Sequence, residues 1–278
     1  MMPSDEHERG PAEMLPEVLG HYDRYEESGR LASGLGLLER LRTQELLLRF
    51  LPEPPARIYD VGGGPGVYAS WLAGAGYDVH LVDPVRRYAD QAREAAKERR
   101  FSVAVGDART LPFPDESAEA LLLLGPLYHL PEAADRRRAL SEAHRVLRPG
   151  GVVAAAGISR YASAIDGLDS GFDADPAFRA IVAEDLATGR HHNPTDEIAY
   201  FTSAFFHRPG ELADEVSAAG FSAVPVYAVE GVGWAPTDLQ DRLDDLERRR
   251  LLLDLLRSLE TEQELMGASP HLLAIGLR

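Results

Sequence analysis

The densest signal in the chain is Asp60-Val61-Gly62-Gly63-Gly64-Pro65-Gly66. An apolar run at residues 57–61 precedes it and a helical pattern at 67–75 follows, so the glycines join a strand to a helix. Glycine lets the backbone turn sharply and approach a ligand with no Cβ in the way. The helix behind such a loop presents unpaired N–H groups at its start. A nucleotide-type ligand fits there. The pattern is acid-x-G-x-G-x-G rather than the dinucleotide G-x-G-x-x-G, because Val67 stands where the third glycine of that fingerprint belongs. Asp60 adds a chemical argument: a carboxylate at the strand end repels a pyrophosphate and suits a cationic amine.

Reading outward, apolar runs recur at residues 78–82, 101–105, 120–124 and 152–157, with helical stretches at 85–100 and 133–147 between them. Strands alternating with helices predict an α/β fold with a mostly parallel sheet covered on both faces. Further strands are expected at 223–229 and 272–277, a helix at 209–220 and a charged helix at 238–265. Asp83, in Leu81-Val82-Asp83-Pro84, ends the second strand, about twenty residues beyond the glycine loop, where a carboxylate takes both hydroxyls of a ribose. The competing reading is a helix N-cap, since Asp before Pro caps well. Asp107, in Gly106-Asp107-Ala108, ends the third strand and either accepts from an exocyclic amine or serves as a turn residue.

These motifs resemble those of class I S-adenosylmethionine-dependent methyltransferases, particularly bacterial small-molecule methyltransferases. The match rests on Asp60 with Gly62, Gly64 and Gly66, on Asp83, on Gly106-Asp107-Ala108, on Gly125-Pro126-Leu127-Tyr128-His129 and on the Arg148-Pro149-Gly150-Gly151 turn. The resemblance implies a Rossmann-like, seven-stranded, mostly parallel sheet with helices on both faces and an antiparallel last strand. The chain is read as one domain over 1–278: an N-terminal helical segment (1–50), a cofactor-binding core (55–160), a cap insertion (160–206) and a C-terminal part of the sheet (207–278). The implied cofactor is S-adenosyl-L-methionine and the product S-adenosyl-L-homocysteine. Asp60 and the loop through Gly66 then lie by the methionine portion, Asp83 and Pro84 by the ribose, Asp107 and Ala108 by the adenine, and Gly125 by the sulfonium. Tyr25 and Arg30 are expected to close over the cofactor, Arg30 being the candidate for its carboxylate.

Methyl transfer is an in-line displacement, in which positioning supplies much of the acceleration and a base is needed only where the acceptor carries a proton. Tyr128 and His129 follow the fourth strand, and His129 is the first candidate base because imidazole titrates near neutrality. His207 is the second. The pair His191-His192 lacks a suitably spaced second ligand pair, and Gly125-Pro126 stands where metal-dependent catechol-type relatives carry an acid, so no metal is expected. Tyr161, Phe172, Phe178, Tyr200, Phe201, Phe205 and Phe206 gather in the insertion. They form either an apolar or aromatic acceptor pocket or the core of the cap. Trp234 either walls that pocket or packs.

The chain has 278 residues and a formal charge of −16, which argues against nucleic acid and anionic membrane as partners. It has no cysteine, so a catalytic thiol, a thiolate metal site and a disulfide framework are all excluded. The N-terminal stretch lacks the pattern of a signal peptide, and a cytoplasmic protein is expected, monomeric or homodimeric. Lys97 is the only lysine among 29 basic residues, a bias that suggests a GC-rich bacterial source. The expected activity is methyl transfer to the oxygen or nitrogen of a small molecule, in keeping with bacterial specialised metabolism. The alternatives are a non-catalytic cofactor-binding module, other S-adenosylmethionine chemistry on the same fold, and a nicotinamide oxidoreductase, the last opposed by Val67 and Asp60.

Overall fold

The computed structural model describes residues 18, 20–22 and 27–278. Five parallel strands carry the first half of the sheet: β1 (Arg57–Val61), β2 (Asp78–Asp83), β3 (Ser102–Val105), β4 (Ala118–Leu123) and β5 (Leu147–Ser159). β1 lies between β2 and β4, with Asp60 level with Leu81 on one side and Leu122 on the other. β9 (His271–Leu277) runs antiparallel along β5, and β8 (Val226–Ala228) runs antiparallel along β9. The resulting order, β3-β2-β1-β4-β5-β9-β8, is the expected seven-stranded sheet with its antiparallel last strand.

Alternation along each strand builds two cores. Tyr59, Val61, Leu121, Leu123, Val153 and Ala155 face α4 (Ala133–Val146) and α7 (Pro209–Ala218). Ile58, Leu122, Ala154, Leu273 and Ile275 face α1 (Gly34–Phe50) and α2 (Val67–Gly74), with α3 (Arg86–Arg99) beside them. Because both faces are covered, β4 reads as an uninterrupted apolar run, with Leu121, Leu122 and Leu123 all fully buried. Crossovers between parallel strands leave the loops that follow β1 to β5 at one edge of the sheet, where ligands bind in such folds.

The insertion contains α5 (Ala162–Ser170), α6 (Pro176–Thr188) and a hairpin of β6 (Arg190–His191) with β7 (Ala204–His207). β7 pairs in parallel with β5 at Ile158 and Ser159, beyond the last β4 pair at Leu123 and Ala155. The cap therefore extends the sheet instead of resting on it, which the sequence reading did not foresee. The charged helix expected at 238–265 is three pieces: α8 (Leu239–Asp244), α9 (Leu246–Leu259) and α10 (Gln263–Met266). The break after α8 falls at Asp245, whose carboxylate caps α9 by accepting from the Arg248 N–H at 2.9 Å. Among the described residues, no helix is long and apolar enough to cross a membrane.

Candidate active site

The loop after β1 enters a left-handed turn at Gly62 (φ +71°), where a methyl group would lie 2.6 Å from Pro126 Cγ. Only glycine lets this loop and the turn after β4 approach so closely. A methyl group at Gly63 would lie 2.7 Å from Asp60 Oδ2, so the loop folds directly over that carboxylate. Gly66 has a different role. Its Cα backs onto Phe101 and Ala92, where it allows α2 to pack, and it does not line the cavity.

Asp60 is buried, and its Oδ2 has no hydrogen-bond partner among the described residues. Burial, with the charge of Asp83 added, pushes its carboxyl up to about 7. Asp83 is pushed up to about 6, again chiefly by burial. Its Oδ2 accepts from the Gly64 N–H and its Oδ1 from the Val85 N–H, both at 2.8 Å. The capping reading of Asp83 does not hold: the helix starts later, at Arg86 with Val85 as its N-cap, and Asp83 accepts only from the N–H of that N-cap residue in the turn before it. One lone pair remains on each oxygen for a ligand hydroxyl. Pro84 lies beside it on the cavity wall.

Asp107 carries a partner that the sequence reading missed. Arg109 clamps it, with Nη2 to Oδ2 at 2.6 Å and Nε to Oδ1 at 2.9 Å, and reaches Asp135 as well. Asp107, Ala108 and Arg109 all line the cavity. This cavity has about 1280 Å³ of empty space, open to solvent at its mouth. It brings together Arg30, Asp60, Gly62, Gly64, Asp83, Pro84, Asp107, Ala108, Gly125, Tyr128 and His129. Tyr25 lies outside the described residues.

The turn Pro126–His129 follows β4. His129 is 7% exposed and its Nε2 lies 2.5 Å from the hydroxyl of Tyr22. Burial, helped by the neighbouring His21, lowers its pKa to about 3, so the ring is neutral and holds a proton weakly. Tyr22, on the N-terminal segment, was not singled out from sequence. Its carbonyl accepts from Arg87 Nη2 at 2.6 Å, which ties that segment to α3.

His207 is fully buried outside this cavity. It sits over Gly157 with Nε2 3.3 Å from Glu215, in a group that includes Arg136 and Phe205, and so has no route to a ligand in the cavity. The insertion aromatics are likewise absent from the cavity wall. Phe172, Phe178 and Tyr200 pack on one another, Phe206 stacks on His191 at 4.7 Å, and Phe201 approaches His129 at 5.7 Å. They pack on one another and on neighbouring side chains and not on this cavity. Trp234 is 36% exposed and donates to the Ala268 carbonyl.

Part of the cavity wall is polar, and its members are far apart in sequence. Arg30 clamps Glu39 with both terminal nitrogens. His271 Nδ1 lies 2.6 Å from Glu230 Oε1, and Glu230 Oε2 accepts from Ser269 Oγ and the His271 N–H. Glu39, Glu230 and His271 bring ligand-type atoms within 4.8 Å of one another. Each carboxylate oxygen already receives a donor, so the group is internally paired.

A doubly wound sheet, a glycine loop with an acid before it, a second acid on the next strand and a cavity spanning both define the class of Rossmann-like, S-adenosylmethionine-dependent methyltransferases. The donor set fits that cofactor on structural grounds. The partnerless Asp60 oxygen calls for a cation, and the bare backbone at residues 62–64 leaves room that side chains would fill.

Comparison with known proteins agrees. A model of the methyltransferase domain family matches residues 59–155. The chain is 31% identical over 188 residues to the ubiquinone/menaquinone biosynthesis C-methyltransferase UbiE of Methylobacterium nodulans, covering 64% of this chain and 70% of that one. With the corresponding protein of Acidiphilium cryptum it is 30% identical over 155 residues, covering 54% and 59%. A solved S-adenosylmethionine-dependent methyltransferase from Mesorhizobium loti superposes with a TM-score of 0.57 at 21% identity, covering 87% of this chain and all of that one. The first three curated relatives are matched over 42–59% of their own length. The chain belongs to the class I S-adenosylmethionine-dependent methyltransferase family.

Proposed function

We propose that this protein catalyses methyl transfer from S-adenosylmethionine to a small-molecule acceptor. The observation that carries the reading is one cavity that joins Asp83 and Asp107, the loop over Asp60 and the turn after β4. The bound cofactor supplies an electrophilic methyl group. The protein holds and orients. Asp83 offers its remaining lone pairs to the ribose hydroxyls, Asp60 faces the ammonium group, and Gly125 leaves the approach to the sulfonium bare.

His129 and Tyr128 frame the space next to Gly125. Since burial keeps His129 neutral and weakly basic, its contribution is to orient the acceptor rather than to deprotonate it. The acceptor then arrives ready to react, as the free base of an amine or as an ionised oxygen. The net charge counts against nucleic acid as the acceptor, and the concave cavity suits a small molecule. The protein works as one catalytic unit with residues 160–206 as its cap, and in the cytoplasm.

The test is calorimetric titration with S-adenosylmethionine, S-adenosylhomocysteine and NAD, followed by mass-spectrometric detection of methylated products from a panel of amines and phenols. Binding of the first two without NAD, and a product 14 mass units heavier than its acceptor (one CH₂), meets the proposal. Binding of NAD alone overturns it, and tight cofactor binding with no product from any acceptor class favours a non-catalytic binding module.

A further inference from the structure

The paired group of Arg30, Glu39, Glu230 and His271 at the cavity wall stands outside the motifs that carry the family assignment. His271 begins β9, level with Ile158 of β5, and so lies at the same edge of the sheet as the loops after β1 and β4. Its ring is on the face shared with Leu273 and Ile275, under α1. Glu230 fixes the ring through Nδ1 at 2.6 Å, and its own second oxygen is held by Ser269 and the His271 main chain. Among the described residues, no hydrogen bond reaches Nε2, and His271 lines the cavity. Burial works against a charged ring here, but the charges of Glu39 and Glu230 outweigh it and raise the pKa to about 9. The group facing the cavity is therefore an imidazolium, which donates and cannot act as a base.

Arg30, the residue expected to take the cofactor's carboxylate, presents both terminal nitrogens to Glu39. An anion arriving here meets the His271 Nε2–H, with the Arg30 charge behind it. The strand order tells which anion this is. Asp107 follows β3, Asp83 ends β2 and Asp60 lies near the end of β1, in that order across the sheet, and His271 begins β9 beyond β4 and β5, linked through Glu39 to Arg30, while Tyr128 packs against Ile158 and Phe206. A molecule anchored by its adenosine at Asp107 and Asp83 places its amino-acid portion toward His271 and leaves the side of Tyr128 for the acceptor.

We propose that His271, oriented by Glu230, is a cofactor-binding residue whose Nε2–H holds the carboxylate of the amino-acid portion of S-adenosylmethionine, with Arg30 as the supporting charge. This rests on the methyltransferase reading above. The last strand of the sheet thereby contributes directly to cofactor recognition.

The test compares S-adenosylmethionine with decarboxylated S-adenosylmethionine, which keeps the adenosine, sulfonium and ammonium and lacks only the carboxylate. His271→Asn keeps a donor where Nδ1 meets Glu230 and removes Nε2. In calorimetry the wild-type protein should prefer the carboxylated ligand by about tenfold or more, the scale of a charge-assisted hydrogen bond. His271→Asn should close that gap and leave the affinity for the decarboxylated ligand unchanged. His271→Gln, whose amide reaches toward the Nε2 position, should restore part of it. A gap that persists in His271→Asn overturns the proposal, as does equal weakening of both ligands, which would mark a purely structural role. A wild-type protein that binds neither ligand overturns the methyltransferase reading together with this one.

Discussion

Single carboxylates decide how this site binds. Asp83 has two donors from its own loop, and a ribose would add two more. Asp83→Asn keeps the shape and replaces one acceptor oxygen with a donor, so cofactor affinity should fall about 10- to 100-fold, and Asp83→Ala should cost at least as much. Unchanged affinity in calorimetry would remove the ribose assignment. Asp60 makes a prediction with a definite sign. In the empty protein, burial and Asp83 hold its pKa near 7, so at pH 6 it is largely protonated. An ammonium beside it favours the charged form, so binding should release protons at pH 6 and fewer at pH 8. Repeating the titration in buffers of different ionisation heat measures this directly. Proton uptake at pH 6 would contradict the placement of the ammonium. At His129 the same physics acts the other way. Its neighbours and low exposure were invisible in the local motif, and they count against its role as a base.

At the scale of elements, the decisive contacts are where one segment meets another. The turn after β4 rests on Gly62, so Gly62→Ala should push Pro126 away and weaken cofactor binding along with stability. The cap hairpin meets the sheet around Arg160, which is almost fully buried. Its Nε donates to the Phe206 carbonyl at 2.8 Å and its Nη2 to Glu211 at 2.6 Å. Gly189 (φ +81°) opens the hairpin, and a methyl group there would lie 2.4 Å from Arg160 Nη2 and 2.6 Å from the Phe206 carbonyl. Gly189→Ala should therefore destabilise the protein by about 2 kcal/mol or more, through both strain and displacement of a buried charge. For a chain of this size that is a fall of roughly 4–8 °C in Tm. A melting curve that matches the wild type would show that the cap is not joined to the sheet in this way. The four residues of β7, Ala204-Phe205-Phe206-His207, carry no clear alternation, which explains why the strand was not expected from sequence.

The whole molecule adds these local shifts into one stability profile. His271 has a raised pKa, so its contribution is full below about 6.5 and is lost as pH rises through about 9. Glu215 is lowered to about 2, where its hydrogen bonds to His207 and Arg136 overcome the cost of burial. Its contribution is present above about 4.5 and is lost as pH falls through about 2. Between those limits one histidine opposes two carboxyls. His129, held near 3, favours the folded state less as pH falls below 6.5. Asp60, raised to about 7, and Asp83, raised to about 6, both favour it less as pH rises above 3.8. The two carboxyls outweigh the one histidine, so the ligand-free protein should lose stability from about pH 4.5 upward, with His271 continuing the decline to pH 9. His271→Asn should flatten the upper part of that decline. Thermal melting across pH checks both, and a wild-type Tm that climbs toward pH 9 would contradict the assigned charge of His271.

The glycine loop with Asp60, the ribose acid Asp83, the acid Asp107 and the strand–helix rhythm are all read from neighbouring residues. Spacing along the chain is enough to place them, because each depends on a strand end and the loop that follows it. The sequence alone therefore determined the family, a mostly parallel sheet with an antiparallel last strand, and the cofactor. Tertiary structure decided everything that depends on meeting a distant segment. It put Arg109 on Asp107, Tyr22 on His129 and His207 out of reach. It also gathered Arg30, Glu39, Glu230 and His271 into one enclosed group. The physical reason is that burial and charge are properties of a folded neighbourhood. A histidine's proton affinity moves down to about 3 at His129 and up to about 9 at His271, according to what the fold packs around each ring.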